Sequence, residues 1–457
     1  YNSGNFYWEA GDYIYVKDDN GVLQKSSNAP TSKVASFKYM VPGKFTAKTS
    51  YKVYYLGKNS DGTSVSISTD QSQTAPNNTA HFGDAGDYGT ATANKVTGKN
   101  QFKFVLEHQP AYLVFQPYTS NFILRDCYLT KVEVSSDNDI AEKYTFDPTT
   151  SALDASTVTN GDKIVLTTSG SSSNPNGFPL TNSAASVTTN GAYVVIKPGT
   201  HTLKVRYWVK DIATNVEGTI TKTYPSSSYA SNTYYDMTAN LDVKNYDGNY
   251  YMWDAQQNYW SGHEWNSASP WQPVLNGNSN SNYAQSNTDP RYYNEAFTYG
   301  ADNKATHSPC STLPNVNEMT WYAAKGDPRW DGDELWTTMG HLYKGGMWFL
   351  KRANITGFRA DQAYDGTDWR TNENGNIRWS ASQTLPSAAD AGNYFYLPAL
   401  GDYTSGWLNF VGRNGHYWSS SAASLTIGNA YGLGFGSGYV GVYYYYRYYG
   451  FRAGGFE

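Results

Sequence analysis

The sequence is poor in several features that mark common protein classes. It has only two cysteines in 457 residues, Cys127 and Cys310, far apart and without a CxxC spacing. We therefore expect neither a disulfide between them nor a zinc or redox motif. Charged residues make up 16% of the chain, the formal net charge is −5 and no basic run stands out, which argues against electrostatic binding to nucleic acid. Apolar runs such as AYLVF (111–115) are too short for a transmembrane helix.

Tyrosine, in contrast, is abundant. There are 42 tyrosines against 18 phenylalanines, with 14 tryptophans besides, and this aromatic composition is more typical of binding proteins than of cytosolic enzymes. The length predicts roughly two to four domains. Because the sequence starts at Tyr1 and not at Met, we expect a mature or trimmed product whose removed segment held an export signal.

Three regions differ in composition and pattern. Residues 1–150 contain short alternating strands joined by turns, as in YWEAGDYIYVKDDNGVL, which predict a β-sandwich. Residues 151–245 predict a second, smaller β-sandwich. Residues 246–457 are rich in Trp and contain a low-complexity loop (275–290), two helix candidates and a terminal hairpin. The predicted fold class is multidomain and mainly β, with two sandwiches followed by an α+β domain.

The two helix candidates lie close together in the third region. In LPNVNEMTWYAAKG, Asn315 and Glu318 have the spacing of a capping box, and Gly326 is a natural end. In DGDELWTTMGHLYKGG, Asp333 can cap a helix that presents its apolar residues on one face and ends at Gly345.

Few residues suggest chemistry. Asp331, Asp333 and Glu334 could bind a divalent cation but lack the alternating ligands of a calcium loop, and helix capping is the interpretation we prefer. His263 and His341 lack the HExxH spacing. No GxSxG, Walker A or dinucleotide-binding motif occurs in a strand–turn–helix context. We therefore predict no catalytic residue, no metal and no cofactor.

The last strands carry the most unusual pattern. Leu433 and Phe435 alternate with glycine, Val440 and Val442 alternate with Tyr or Gly, and GSG (436–438) fits a connecting turn. The hairpin is predicted to place its apolar framework inward and Gly or Tyr outward. Phenol hydroxyls are costly to bury without partners, and tyrosine supplies rigid amphipathic contact area. A ligand-binding surface is therefore favoured over a buried Tyr-rich face.

Four stretches of the third region carry a family resemblance: CSTLPNVNEMTWYA, NYFYLPALGDY, GRNGHYWSSS and YGFRAGG. They resemble the C-type-lectin-like domains of bacterial surface proteins, and more narrowly the variable proteins of diversity-generating retroelements. The matching positions are Leu313, Pro314, Asn317, Glu318, Leu397, Pro398, Gly401, Tyr417, Trp418, Ser419, Ser420, Gly450, Phe451 and Arg452.

The resemblance implies which residues contact a ligand. That family mutates the adenines of AAY codons, which never yields Lys, Glu, Gln, Met or Trp, and none of these five types occurs from Ser424 to Tyr449. The implied framework is Leu425, Ala430, Leu433, Phe435, Val440 and Val442. The implied ligand-binding residues are Thr426, Ile427, Asn429, Tyr431, Tyr439, Tyr443, Tyr444, Tyr445, Tyr446, Tyr448 and Tyr449.

Two departures limit what the resemblance implies. The EPN or QPD and WND motifs of calcium-dependent lectins are absent from the tail, so a calcium-mediated sugar site is not expected. The fold is also similar to that of formylglycine-generating enzymes, which need reactive cysteines in this region. No cysteine follows Cys310, and this argues against an oxidase.

A second resemblance covers the N-terminal half. FYWEAGDYIYV, YKVYYLG and LEHQPAYLVF resemble the fimbrillin family of bacterial pilins over roughly residues 1–240. Fimbrillins have two β-sandwich domains, are exported as lipoproteins and assemble by donating a strand into a neighbour's groove. The matching positions are Trp8, Gly11, Asp12, Ile14, Val16, Leu106, His108, Ala111, Tyr112, Leu113 and Phe115.

These resemblances imply a fimbrial adhesin on the cell surface, at the tip of a fimbria, associated with the outer membrane through a precursor lipoprotein. Its expected partners are other pilin subunits, joined by strand exchange, and a glycan or protein ligand on a host or bacterial surface. Two alternatives stay open. One is a formylglycine-generating-like or carbohydrate-active enzyme, and the other is a structural pilin without a ligand.

Overall fold

The computed structural model describes residues 6–58, 60–212 and 215–457, so Tyr1 lies outside the described residues. The chain forms two compact units. The first unit ends at Asp242, and the second begins at Val243 and holds the rest of the chain apart from Ser387–Ala389. The prediction of a multidomain, mainly β chain is confirmed. Within the described ranges, no helix has the length and apolar character needed to cross a membrane.

The first unit is built almost entirely of strands. Its elements are β1 (Tyr15–Lys17), β2 (Leu23–Lys25), β3 (Ser50–Tyr55), β4 (Ser64–Ile67), β5 (Asp70–Ser72), α1 (Phe82–Ala85), β6 (Gly89–Lys95), β7 (Phe102–Lys103), β8 (Glu107–His108), β9 (Ala111–Tyr118), β10 (Cys127–Ser136), β11 (Glu142–Asp147), β12 (Ala152–Asp154), β13 (Lys163–Thr167), β14 (Phe178–Pro179), α2 (Val187–Asn190), β15 (Ala192–Ile196), β16 (Gly199–Asp211), β17 (Glu217–Tyr229) and β18 (Thr233–Asn240).

Four sheets organise these strands. One has the order β2-β1-β3-β6-β7 with β8 also on β6, another runs β17-β16-β10-β13-β5 with β14 also on β10, and two three-stranded sheets have the orders β12-β11-β4 and β15-β9-β18. The run Ala111–Phe115 lies in β9, between two neighbouring strands, and is fully buried, as expected for a continuous apolar strand. Strand pairing crosses residue 150, and the division into 1–150, 151–245 and 246–457 stays a prediction.

The second unit combines one helix with three sheets. Its elements are β19 (Asn245–Tyr246), β20 (Tyr250–Tyr251), α3 (Val316–Lys325), β21 (Arg329–Thr338), β22 (His341–Leu350), β23 (Ile377–Ser380), β24 (Tyr394–Pro398), β25 (Asp402–Thr404), β26 (Trp407–Asn409), β27 (Gly415–Ala422), β28 (Asn429–Gly436), β29 (Tyr439–Tyr446) and β30 (Phe451–Arg452). The strand orders are β24-β22-β21 with β19 on β21, β20-β30-β27-β28-β29-β23, and β25-β26.

Helix α3 forms where the local sequence signals it. The Asn315 side chain accepts a hydrogen bond from the Glu318 amide at 3.1 Å, and the Glu318 carboxylate accepts one from the Asn315 amide at 2.9 Å. The helix ends at Lys325 with Gly326 as its C-cap. Val316 and Met319 are fully buried, and the helix packs against β28 and β29. The predicted helix and its capping box are confirmed.

The second predicted helix, from its cap at Asp333 to its end at Gly345, is wrong. This segment forms the antiparallel hairpin β21–β22, which turns at Met339 and Gly340 with φ angles of 47° and 78°. Positive φ at both central residues matches the strand twist in a two-residue hairpin. The second half of β22, from Gly346 to Leu350, also pairs with β24, for example Phe349 with Phe395. This distant pairing, which local periodicity does not report, stabilises the strand form.

Candidate functional site

The C-terminal hairpin is built as its alternating pattern predicts. Strands β28 and β29 pair from Asn429 with Tyr446 to Gly436 with Tyr439, leaving Ser437 and Gly438 as the turn. The predicted framework residues Leu433, Phe435, Val440 and Val442 are all fully buried in the core of the second unit. The framework prediction is wrong at Leu425, which is 78% exposed in the loop before β28.

One face of the hairpin carries tyrosines lying over glycines. On β29 the residues Tyr439, Gly441, Tyr443 and Tyr445 face away from the Val440 and Val442 core. A Cβ atom on Gly441 would overlap the Tyr443 ring, and one on Gly434 would overlap the Tyr445 hydroxyl. The rings can lie close over the strands only because these positions have no side chain.

Arg378 on β23 completes part of this face. It pairs with Gly441 across the sheet, and its guanidinium carbon lies 4.1 Å from the centroid of the Tyr439 ring. The Asn414 amide donates a hydrogen bond to the Tyr439 hydroxyl at 2.9 Å, so Tyr439 is fixed at both its ring and its hydroxyl. We call Arg378, Tyr439 and Tyr443 the Tyr platform.

Tyr445 and Tyr449 are mainly packing residues. The Tyr445 ring lies 4.8 Å from Phe451 and 5.7 Å from His416, and burial raises the pKa of its hydroxyl well above the usual value. Tyr449 lies 6.0 Å from the same Phe451 ring. Both rings border a second apolar cluster that includes Trp253, Trp418 and Phe451.

Three other predicted ligand-binding residues lie on the core side. Tyr431 is fully buried, and its hydroxyl donates to the Asn374 carbonyl at 2.9 Å. Tyr444 packs near Tyr431 with ring centroids 6.3 Å apart, because it continues the inward alternation of Val440 and Val442. Asn429 is buried at the start of β28. None of these three presents its side chain openly to solvent.

The remaining predicted residues gather at the end of the hairpin. Tyr446 and Tyr448 are 51% and 38% exposed, and Ile427 and Leu425 are 83% and 78% exposed. The Tyr446 and Tyr448 rings stack with centroids 5.2 Å apart and an interplanar angle of 9°. The Thr426 hydroxyl donates to the Glu373 carboxylate at 2.6 Å, which holds the loop. We call Leu425, Ile427, Tyr446 and Tyr448 the tip patch.

Arg447, which the sequence patterns did not single out, anchors the tip patch. It is 3% exposed, and its guanidinium carbon lies 4.6 Å from the Trp253 ring, 4.8 Å from Phe297 and 5.5 Å from Tyr299. Its side chain donates to the Asn429 carbonyl at 3.1 Å and to the Tyr299 hydroxyl at 3.0 Å. A signal was present in the sequence, because Arg447 is the one cationic residue within the tyrosine run. Its side chain points inward, so its neighbours Tyr446 and Tyr448 point outward.

The acidic cluster considered for a metal has a local structural role. The Asp331 carboxylate accepts hydrogen bonds from the amides of Asp333 and Glu334 at 3.1 and 3.2 Å. It also accepts one from the Trp348 indole at 3.1 Å. These contacts support an irregular register between β21 and β22, and not the helix cap that we expected. Over the described ranges, no group of three or more His, Cys, Asp or Glu side chains is placed to hold a metal ion.

The isolated histidines and cysteines lie in similarly structural settings. His263 stacks on Trp271 with ring centroids 3.2 Å apart, and His341 lies near Tyr343 at 6.3 Å. Cys127 and Cys310 are free and buried. Burial raises the pKa of both thiols to about 12, so neither is a reactive thiolate at neutral pH.

The first unit contains a long groove of about 1530 Å³ beside β1 and β3. Its floor includes Ile14, Val16, Tyr51 and Val53, which are buried members of one apolar cluster. Two stretches with alternating apolar side chains also line it, and their inward residues are Phe37, Tyr39, Val41, Phe102, Phe104 and Leu106. Met40 and Val105, at 64% and 78% exposure, lie at its border. We call this the N-terminal groove.

Comparisons with known proteins give structural similarities only. No family model matches the chain, and no curated protein matches it. A crystal structure of a proposed cell adhesion protein from Bacteroides ovatus is 14% identical with a TM-score of 0.31, covering 51% of this chain and 84% of that chain. A proposed cell adhesion protein from Bacteroides uniformis is 15% identical with a TM-score of 0.30, covering 52% and 90%.

A fimbrial protein from Bacteroides ovatus is 15% identical with a TM-score of 0.23, covering 60% of this chain and 52% of that chain. None of these similarities is close enough in sequence or in geometry to assign a function to this chain.

Proposed function

We propose that the chain is a cell-surface fimbrial adhesin whose second unit binds a ligand through the tip patch and performs no chemistry. The observation that carries this proposal is the exposure of four large apolar or aromatic side chains, from 38% to 83%, at the open end of the β28–β29 hairpin, where Asn429 pairs with Tyr446. Exposed apolar side chains brought together on a surface are typical of an interaction site.

The contacts that hold the tip patch in place support its role as an ordered binding surface. Arg447 is buried between the outward Tyr446 and Tyr448, and its amide donates to the Gly428 carbonyl at 2.9 Å. The loop and the strand end are therefore tied together. A rigid aromatic surface loses little conformational entropy on binding, which favours affinity.

The residue types of the tip patch support the proposal that its sequence varies between copies of this protein. The resemblance to the variable proteins of diversity-generating retroelements places the candidate variable positions here. Three of these positions, Ile427, Tyr446 and Tyr448, have exposed side chains that are not needed to fill a core. Comparing the gene with a nearby template copy tests this directly: we expect AAY-derived codons at Ile427, Tyr446 and Tyr448. Absence of a template copy would leave an ordinary lectin-like domain.

The N-terminal groove supports assembly with other subunits. Its lining alternates apolar residues inward on both sides, and its floor is one face of the sheet that contains β1 and β3. This is the shape left when one strand of a sandwich is missing. We propose that a neighbouring pilin supplies that strand.

The ligand proposal is tested with the Tyr446→Ala/Tyr448→Ala double variant of the full chain. The probes are a printed glycan array and a panel of purified bacterial surface proteins. We expect at least a tenfold loss of binding, about 1.4 kcal/mol or more, with the melting temperature nearly unchanged because neither ring belongs to the buried apolar clusters of the second unit. The matched control is Trp407→Ala/Phe410→Ala, two residues 49% and 48% exposed outside the tip patch.

Two outcomes would contradict the ligand proposal. Wild-type protein that binds neither set of probes would favour a structural pilin, and a double variant that binds as well as wild type would place the site elsewhere. A large fall in melting temperature would show that the rings are part of the core.

The assembly proposal is tested at Ala93, a buried residue on β6 that lines the groove. Ala93→Trp fills the floor, and we expect it to block self-assembly of the purified chain in light scattering. Thr92→Trp is the matched control, because Thr92 is exposed on the opposite face of the same strand. Equal assembly by both variants would refute strand insertion at this groove.

A further inference from the structure

The Tyr platform differs in chemistry from the tip patch. Its tyrosines lie over a sheet and present ring faces and hydroxyls, whereas the tip patch presents aliphatic side chains and two rings stacked on each other. A Cβ on Gly436 would lie 3.0 Å from the Tyr439 ring, so this ring also passes close over a glycine. Both platform rings therefore lie close over the sheet.

Arg378 gives the platform a positive charge. The residue is exposed, and within the described residues its guanidinium stacks on Tyr439 without a carboxylate in salt-bridge distance. Burial raises the pKa of Tyr443, Tyr439 adds to this rise, and the Arg378 guanidinium lowers it. Arg378 pairs with Gly441, which lies midway between Tyr439 and Tyr443 on the same face of β29, so its position in the sheet lies beside both rings.

These groups together fit a particular ligand chemistry. A guanidinium held against a ring keeps its N–H donors in a fixed planar arrangement, which can bind the two oxygens of a carboxylate or sulfate group. Tyrosine faces accept apolar C–H surface, and their hydroxyls bond to polar rims. A sugar ring that carries an acidic group combines these two properties. An acidic peptide carries the same negative charge, but it has no rigid flat face to lie against the two tyrosine rings.

We propose that the Tyr platform binds an acidic saccharide, with its carboxylate or sulfate on Arg378 and its ring against Tyr443. This inference goes beyond the proposed function, because it assigns the second unit a further binding surface and names the ligand class for it. The platform and the tip patch are different surfaces, and substitutions can separate them.

The test uses the full chain and a pair of probes that differ in charge. Oligogalacturonate carries carboxylates, and its methyl ester is the neutral counterpart. Binding is measured by titration calorimetry at low and moderate salt. We expect the acidic probe to bind more tightly than the ester, and we expect its affinity to fall as salt screens the charge.

Three variants locate the binding. Arg378→Gln is expected to weaken oligogalacturonate binding about tenfold, and Arg378→Lys to weaken it less, because charge is kept while the fork is lost. Arg359→Gln is the matched control, since Arg359 is also exposed and pairs with Asp361 at 2.7 Å. The Tyr446→Ala/Tyr448→Ala variant should bind the acidic probe as wild type does.

Several results would overturn the inference. These are equal binding of the ester, equal binding by Arg378→Gln, or no binding of oligogalacturonate by the wild-type chain. If any of these occurs while another ligand depends on the tip patch, the adhesin function stands and only the platform assignment fails.

Discussion

Replacing Arg447 with methionine tests whether this buried side chain holds the tip patch in place. Arg447 is 3% exposed, and burial lowers the pKa of its guanidinium. Its guanidinium contacts three aromatic rings and donates two hydrogen bonds. Methionine is unbranched and apolar like the aliphatic stem of arginine, so it keeps the packing of that stem while removing the charge, the ring contacts of the guanidinium and both donors.

The expected loss follows from these contacts. Two hydrogen bonds from a charged donor contribute roughly 3 kcal/mol, and the aromatic contacts about 2 kcal/mol. Removing a buried charge returns about 2 kcal/mol of desolvation cost. The net loss in the free energy of unfolding is therefore about 3 kcal/mol. For a unit of this size, that is a fall in melting temperature of roughly 6–12 °C.

Calorimetry of the full chain measures this loss in the transition assigned to the second unit. Arg447→Lys should lose less, about 1–2 kcal/mol, because it keeps a cation near the rings but not the fork. Arg413→Met is the control, since Arg413 is exposed and should change stability by less than about 0.5 kcal/mol. A loss below about 1 kcal/mol for Arg447→Met would refute the role of Arg447 as an anchor.

Two further predictions concern the same unit. In Gly441→Ala the new Cβ displaces the Tyr443 ring; because that ring can swing outward, we expect a stability change of about 1 kcal/mol or less but loss of oligogalacturonate binding by calorimetry. Arg370 and other donors lower the pKa of Asp368 to about 2. The carboxylate therefore stabilises the fold above its unfolded pKa near 3.9, and this contribution is lost as pH falls through about 2. Asp368→Asn should remove about 1 kcal/mol at pH 7 after solvent screening and less near pH 2, measured by urea unfolding at each pH.

The parts of the fold that local sequence determines were predictable. Helix α3 follows from Asn315 and Glu318, three residues apart, whose contacts form within a single turn. The 331–345 segment has apolar residues at helical spacing too, and Leu335 and Met339 are indeed 4% and 2% exposed. Leu335 is buried in a strand and Met339 in the turn after it, not on one face of a helix. The strand form also depends on the pairing of β22 with β24, a long-range contact that periodicity does not encode.

In the candidate site, too, local pattern predicted some side-chain positions and long-range contacts determine the others. Strand alternation predicted that Val440 and Val442 face inward and that Tyr439 and Tyr443 face outward. It did not predict that Tyr444 and Tyr431 lie beneath the Asn374–Asn376 loop, since that loop lies far away in the sequence. A tyrosine on the inward side was counted as surface because its hydroxyl is polar, although a single backbone carbonyl satisfies it.

Burial decides which positions of the hairpin can vary without unfolding the unit. Removing the Tyr431 side chain would open a cavity and cost about 3–5 kcal/mol, and it would leave the Asn374 carbonyl without its donor. Changing Ile427 or Tyr446, at 83% and 51% exposure, removes little packing. A codon set that samples all these positions equally would therefore be filtered by folding. The surviving variation would concentrate in the tip patch and on the platform, where a change alters the ligand and not the fold.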